Sequence, residues 1–257
     1  ARNVVIDTNN HRVSSAGAST GSAWRRWPTP AYVKISRMGF RSRPVIGPAV
    51  AVVVSAAAFT GSAPSARADG CADVQLIFAR GTAEPPGLGA VGDALLAALR
   101  PALGSRSVDS YAVNYPASYN FLTAADGAND ARDHIAEMTG QCPSTKLVLG
   151  GFSQGASAVS MLAGVPPVGQ LIGDLGSAPA LDPDLAGKVR AVAVFGNPGN
   201  RFNTPLSTTG EFAGRAIDLC SPGDPVCVVG GRDRDAHHDY SVPPYPGEAA
   251  AFIARLV

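Results

Sequence analysis

Residues 146–155, KLVLGGFSQG, constrain this chain more than any other segment. A short apolar run of strand character breaks directly into glycines, and the stretch that follows, SQGASAVSMLAG, reads as a helix. A strand that becomes a helix in so few residues must turn sharply at Ser153, and only small neighbours let the two elements approach. Gly150, Gly151 and Gly155 are those neighbours. The pattern Gly151-Phe152-Ser153-Gln154-Gly155 is G-x-S-x-G in the strand–turn–helix context of a nucleophile elbow, where a serine side chain stands exposed beside the N–H groups that open a helix. The plainer alternative is a glycine-rich turn with Ser153 as an N-cap. A second copy, Gly17-Ala18-Ser19-Thr20-Gly21, has no strand ahead of it, so the pattern alone carries little weight.

The surrounding sequence alternates strand and helix signals. Residues 74–79 (VQLIFA), 108–114, 146–149, 189–195 and 215–219 read as strands; residues 92–99, 129–138, 153–164 and 247–257 read as helices, with Pro101 ending the first. This alternation predicts an α/β fold, a mainly parallel central sheet with helices on both faces.

Charge divides the chain. The net charge of +1 conceals nine Lys/Arg and one acidic residue in residues 1–68, against 12 basic and 19 acidic groups in residues 69–257. A folded part this acidic argues against a nucleic-acid partner and against simple attraction to anionic lipid. From Met38 the order is a basic pair (Arg41, Arg43), an apolar stretch over residues 44–59 and Ala66-Arg67-Ala68, the order of a secretion signal. The apolar stretch is too short, and too interrupted by Gly47 and Pro48, for a stable membrane span. The division expected is therefore an upstream extension at 1–37, a signal peptide at 38–68 and one catalytic domain at 69–257, exported and extracellular or associated with the cell envelope.

A serine hydroxyl needs a base, most often His, and the base is oriented by a carboxylate. On this fold the order along the chain is Ser, Asp, His. His237 and His238 are the only histidines after Ser153; His134 sits on a helix ahead of it. Between serine and histidines, Asp218 lies within a strand and Asp224 in a loop just past it, in Cys220-Ser-Pro-Gly-Asp224-Pro-Val-Cys227. Read on its own, Asp224 is equally a Gly-Asp-Pro turn residue. The four cysteines, Cys71, Cys142, Cys220 and Cys227, form no C-x-x-C pair, and behind a secretion signal they read as two disulfides. Cys71 and Cys142 each lie a few residues ahead of a parallel strand, which favours pairing 71–142 with 220–227.

Taken together, Cys71-Ala-Asp with the strand ending FARGTAEPPGLG, GGFSQG, and CSPGDPVC followed by His237-x-x-Tyr240 resemble the cutinase family, in particular its cutinase-like members from mycobacteria and other actinobacteria. The resemblance covers about residues 70–257. It implies a compact α/β-hydrolase without a large lid, carrying two disulfides. It implies Ser153 as nucleophile, Asp224 as orienting acid and His237 as base, chosen over His238 by its spacing from Asp224 and by Tyr240 three residues on. The N–H groups of Gln154 and Thr82 would form the oxyanion hole, assisted by the Thr82 hydroxyl. The implied activity is hydrolysis of short- to medium-chain acyl esters, extending to lipids or cutin-like polyesters, by a monomer with no metal or organic cofactor. An acyltransferase or thioesterase using the same residues, and a non-catalytic secreted surface protein, are the competing readings. The segment before the histidine departs from the apolar pattern of fungal cutinases: Arg232 and Arg234 make it polar, which points away from polymeric cutin. Asn120 is a poor match for the asparagine sometimes given an oxyanion-supporting role. Gly87-Leu-Gly89-Ala-Val-Gly92 matches G-x-G-x-x-G but does not follow its strand directly, as a dinucleotide site requires.

Overall fold

A computed structural model describes residues 70–166 and 174–257. The expected extension at 1–37 and signal peptide at 38–68 lie outside the described residues.

The strands β1 (Val74–Ala79), β2 (Val108–Ala112), β3 (Lys146–Phe152), β4 (Val189–Phe195) and β5 (Ala216–Leu219) form one sheet in the order β2-β1-β3-β4-β5. Every neighbouring pair is parallel. All six residues of β1 are buried, as an almost wholly apolar strand must be when both faces are covered. Alternate side chains point to opposite faces. Ile77, Leu149, Val192 and Val194 pack with Ala131 and Ile135 of α2 (Ala124–Gln141) and Val159 of α3 (Gln154–Leu162). Leu76, Phe78, Val148 and Ala193 pack with Leu95 and Leu99 of α1 (Gly89–Ala102) and with Ile253 of the C-terminal helix. Burying each such aliphatic or aromatic side chain contributes about 1.5–3 kcal/mol.

Two short helices, α4 (Pro183–Ala186) and α5 (Pro198–Arg201), flank β4, and α6 (Tyr245–Ala254) closes the chain. Several elements differ in extent from the sequence expectation. Helix α1 carries Pro101 in its last turn, where the missing N–H removes a single bond while Leu103 N–H still reaches Leu99 O at 3.0 Å. Helix α2 starts earlier than the polar run suggests, because its first turns are small residues that pack closely. Strand β3 runs on through Gly150, Gly151 and Phe152 to the edge of the turn.

Cys71 and Cys142, their Cα atoms 5.7 Å apart, join the segments ahead of β1 and β3, whose first residues Val74 and Lys146 are register partners. Closing so long a loop limits the unfolded chain, a stabilisation of about 4 kcal/mol in the chain-entropy account. Cys220–Cys227 closes a much shorter ring directly after β5. The first disulfide therefore sits at the N-terminal edge of the sheet and the second at the C-terminal edge, where β1, β3 and β5 deliver Thr82, Ser153 and Asp224.

Candidate active site

Ser153 stands between β3 and α3 at φ 53° and ψ −111°, a conformation that costs a non-glycine residue about 1–3 kcal/mol. The turn is held on both sides. Ser153 N–H donates to Phe195 O at 2.9 Å, extending the β3–β4 ladder by one bond, and Ser153 O accepts from Ser157 N–H at 3.2 Å. Gly155 is obligatory for space: a Cβ there would lie 2.0 Å from Ala79 O.

His237 reaches the serine from a 3-10 helix, Asp235–Ser241. Its Nε2 lies 2.9 Å from Ser153 Oγ and its Nδ1 2.8 Å from Asp224 Oδ2. The ring of Phe152 sits 5.0 Å away, covering one side of the imidazole. Asp224 is fully buried. Its Oδ1 accepts from Val226 N–H at 2.7 Å, and its Oδ2 also accepts from the Tyr240 hydroxyl at 2.5 Å. Burial by itself would raise the pKa of this carboxyl, but the hydrogen bonds from His237, Tyr240 and Val226 outweigh burial and hold it below the ordinary value. Cys227 Sγ packs 3.2 Å from Oδ2; bound in a disulfide, it carries no hydrogen to donate.

Asp218 is occupied elsewhere. Its carboxylate accepts from Asn197 Nδ2 at 3.1 Å and from the N–H groups of Leu206 and Ser207 at 3.1 and 2.8 Å. His238 is exposed and presents its ring edge-on to His237 at 5.9 Å. His134 stacks on Tyr111 at 3.5 Å and reaches Gln75 Oε1 at 2.9 Å, an arrangement within α2 and the sheet.

Gln154 opens α3, so its N–H has no acceptor within the helix. Thr82 lies on the loop after β1, and this loop is tied down from within. The Glu84 carboxylate accepts from Gly81 N–H at 2.6 Å and Ala90 N–H at 2.8 Å. The buried Arg80 guanidinium donates to the carbonyls of Glu84, Val113 and Tyr115, and the Tyr115 hydroxyl donates back to Arg80 O. The Thr82 hydroxyl donates to Gln154 Oε1 at 3.2 Å, and Gln154 Nε2 donates to Thr123 Oγ1 at 3.3 Å. The Thr82 hydrogen is thus directed at Gln154. Asn120 serves the same wall through its carbonyl, which accepts from Thr123 Oγ1 at 2.8 Å.

A cavity of about 170 Å³ opens beside Ser153, walled mainly by Phe121, Leu175, Pro198, Pro225 and Val226, with Ser157 and the cationic Arg201 also on its lining. Among the described residues no cluster of His, Cys, Asp and Glu could hold a metal ion, and no helix is long and apolar enough to cross a membrane.

The model of one known family, Cutinase, matches residues 70–257. The chain belongs to the cutinase family. Like its relatives, this cutinase-family protein is a carboxylic ester hydrolase. It is 44% identical to "Probable carboxylesterase Culp3" of Mycobacterium tuberculosis over 85% of this chain and 81% of that one. It is 47% identical to "Phospholipase Culp4" of the same organism over 76% of this chain and 83% of that one. Its structure resembles that of Trichoderma reesei cutinase bound to a phosphonate inhibitor, with a TM-score of 0.58 and 32% identity over 72% of this chain and 77% of that one.

Sequence reasoning did not reach Glu84, Arg80, the side-chain bridge of Gln154 or the bond from Tyr240 to Asp224. For Arg80 and Glu84 a signal existed: two charged residues directly after an apolar strand, in a chain with few charges.

Proposed function

We propose that this chain is an exported serine esterase that hydrolyses short- to medium-chain acyl esters through an acyl-enzyme on Ser153. One observation carries the reading: the continuous chain from Ser153 Oγ to His237 Nε2 at 2.9 Å and from His237 Nδ1 to Asp224 Oδ2 at 2.8 Å. In this reading His237 takes the serine proton as Oγ attacks the ester carbonyl, and Asp224 holds the ring in the tautomer that leaves Nε2 free to accept. The N–H groups of Gln154 and Thr82 receive the developing oxyanion; losing one such donor typically costs about 3–4 kcal/mol. His237 returns its proton to the departing alcohol, then activates the water that releases the acid. No step requires a metal or organic cofactor.

The small, mostly apolar cavity favours acyl chains of modest length. The name of the relative Culp4 extends the candidates to phospholipids, and the polar segment around Arg232 and Arg234 argues against a waxy polymer surface. Two disulfides suit an oxidising compartment outside the cytoplasm.

The test is a chain-length series of 4-nitrophenyl esters on the wild type and on Ser153→Ala, with phosphonate labelling of both. The wild type is expected to prefer short or medium chains and to be labelled. Ser153→Ala is expected to lose at least about a thousandfold in kcat and all labelling. Hydrolysis by Ser153→Ala within about tenfold of the wild type would overturn the reading.

A further inference from the structure

We propose that Tyr240 is a positioning residue that sets the lower pH limit of hydrolysis by sharing the charge of Asp224 with His237. The inference rests on the proposed roles of Ser153, His237 and Asp224.

Tyr240 follows His237 by three residues in a 3-10 helix, whose period of three places both on one side. Both side chains converge on the same oxygen, Asp224 Oδ2, at 2.8 Å from His237 Nδ1 and 2.5 Å from the Tyr240 hydroxyl. The phenol is fully buried, and its ring is fixed against Phe152, Phe195 and Tyr245 at 5.6, 6.1 and 5.1 Å. A phenol has a single hydrogen. The Ser221 N–H donates to the Tyr240 oxygen at 2.9 Å, and of the two acceptors left for the phenol hydrogen the ionised Asp224 Oδ2 at 2.5 Å is far stronger than the disulfide sulfur of Cys227 at 3.2 Å. Burial, and then the adjoining Asp224, hold the phenol protonated at every pH where the enzyme would work.

Two donors on one carboxylate oxygen divide its charge. Were the phenol removed, the whole charge of Oδ2 would face the imidazole, and the imidazolium would be stabilised more strongly. A base that holds its proton to higher pH is unavailable to Ser153 over a wider acidic range. Asp233 meets the acid loop beside Asp224, its N–H donating to Gly223 O at 2.9 Å. Ser153 and Phe152 approach from the β3–α3 turn, and the Cys220–Cys227 disulfide from the acid loop; none of these titrates near neutrality. His238 approaches from the same 3-10 helix and Tyr245 from α6. Arg201 donates to Pro225 O of the acid loop at 2.8 Å.

The experiment is the pH profile of kcat/KM for 4-nitrophenyl butyrate with wild type, Tyr240→Phe and protein carrying 3-fluorotyrosine at position 240. The acid limb is expected to move to higher pH by about 0.5–1 unit in Tyr240→Phe, with KM little changed. Fluorotyrosine, a stronger donor of the same shape, is expected to move it the other way. A phenol that only fills space would lower the plateau and leave the limb in place in both proteins, and that result overturns the proposal. If Tyr240→Phe does not fold, the fluorotyrosine protein decides alone. Failure here is separable from failure of the esterase reading, because only the latter would show as near-wild-type activity in Ser153→Ala.

Discussion

A Cβ added to Gly196 would lie 2.9 Å from Cε1 of His237 and 3.0 Å from Cε2 of Tyr240. The backbone there has φ +55°, so a side chain is opposed both by its own conformation and by the imidazole. Gly196→Ala is expected to push His237 off Ser153 by a fraction of an ångström and to lower kcat about tenfold, since a misplacement of about 1 Å costs about a hundredfold. Steady-state kinetics with a 4-nitrophenyl ester, alongside a melting curve showing a folded protein, checks this.

Asp218 and Asp224 lie on the same stretch of chain but satisfy different partners, and their amide variants are expected to separate catalysis from stability. Asp224→Asn is expected to lower kcat by about 10⁴ through loss of the correct imidazole tautomer. Asp218→Asn is expected to leave kcat within a few-fold. It weakens the bonds to Leu206 and Ser207 N–H and lowers stability by about 1–3 kcal/mol. Equal losses of kcat in both variants would refute the division.

Acid is expected to weaken the fold through two groups of opposite charge type. The Asp224 pKa is lowered from 3.8, burial opposing and the donated hydrogen bonds prevailing. The ionised carboxylate is therefore favoured by folding. Its stabilisation is complete above the ordinary value and is lost as pH falls through the lower folded value. His134 is lowered from 6.5, first by burial, so the neutral ring is favoured. That stabilisation holds above 6.5 and is lost as pH falls through its folded value. Melting temperatures should therefore decline in two stages. His134→Gln removes the stage below pH 6.5, and Asp224→Asn flattens the one beginning near 3.8.

The two disulfides are expected to have separable effects. Replacing Cys71 and Cys142 by serine lowers the melting temperature with little change in kcat, because that bond lies at the opposite edge of the sheet from Ser153. Replacing Cys220 and Cys227 lowers kcat about tenfold or more, because their ring brackets Asp224. Calorimetry and initial rates on the two double variants test the contrast.

What could be read from the sequence was what is local. Ser153 was legible because strand, glycines and helix adjoin it directly, and the parallel sheet because β1 and β4 are almost wholly apolar. The pairing of Cys71 with Cys142 was legible because both precede strands that lie side by side. Pattern favoured Asp224, in a loop, over Asp218, inside a strand, but could not tell an orienting acid from a Gly-Asp-Pro turn residue. The two differ in which partners their carboxylates meet, and those partners, His237 for one and Asn197 with two loop amides for the other, are distributed across the chain. Tyr240 stood out only through resemblance, since nothing in a tyrosine's neighbours announces a buried hydroxyl. Arg80 was marked by its place after an apolar strand, but its inward turn depends on the carbonyls of Val113 and Tyr115, far along the chain.

The side chain of Gln154 links the Thr82 hydroxyl to the Thr123 hydroxyl, while its main chain opens helix α3 beside Ser153. If the Gln154 amide receives the oxyanion as proposed, the spacing of these two loops and the electrostatics of the transition state are coupled in a single residue. On that reading, an engineer seeking bulkier acyl groups would do better to remodel the cavity lining at Leu175 or Val226 than to loosen this tie, because movement at Thr82 or Thr123 would also slacken the proposed cradle for the oxyanion.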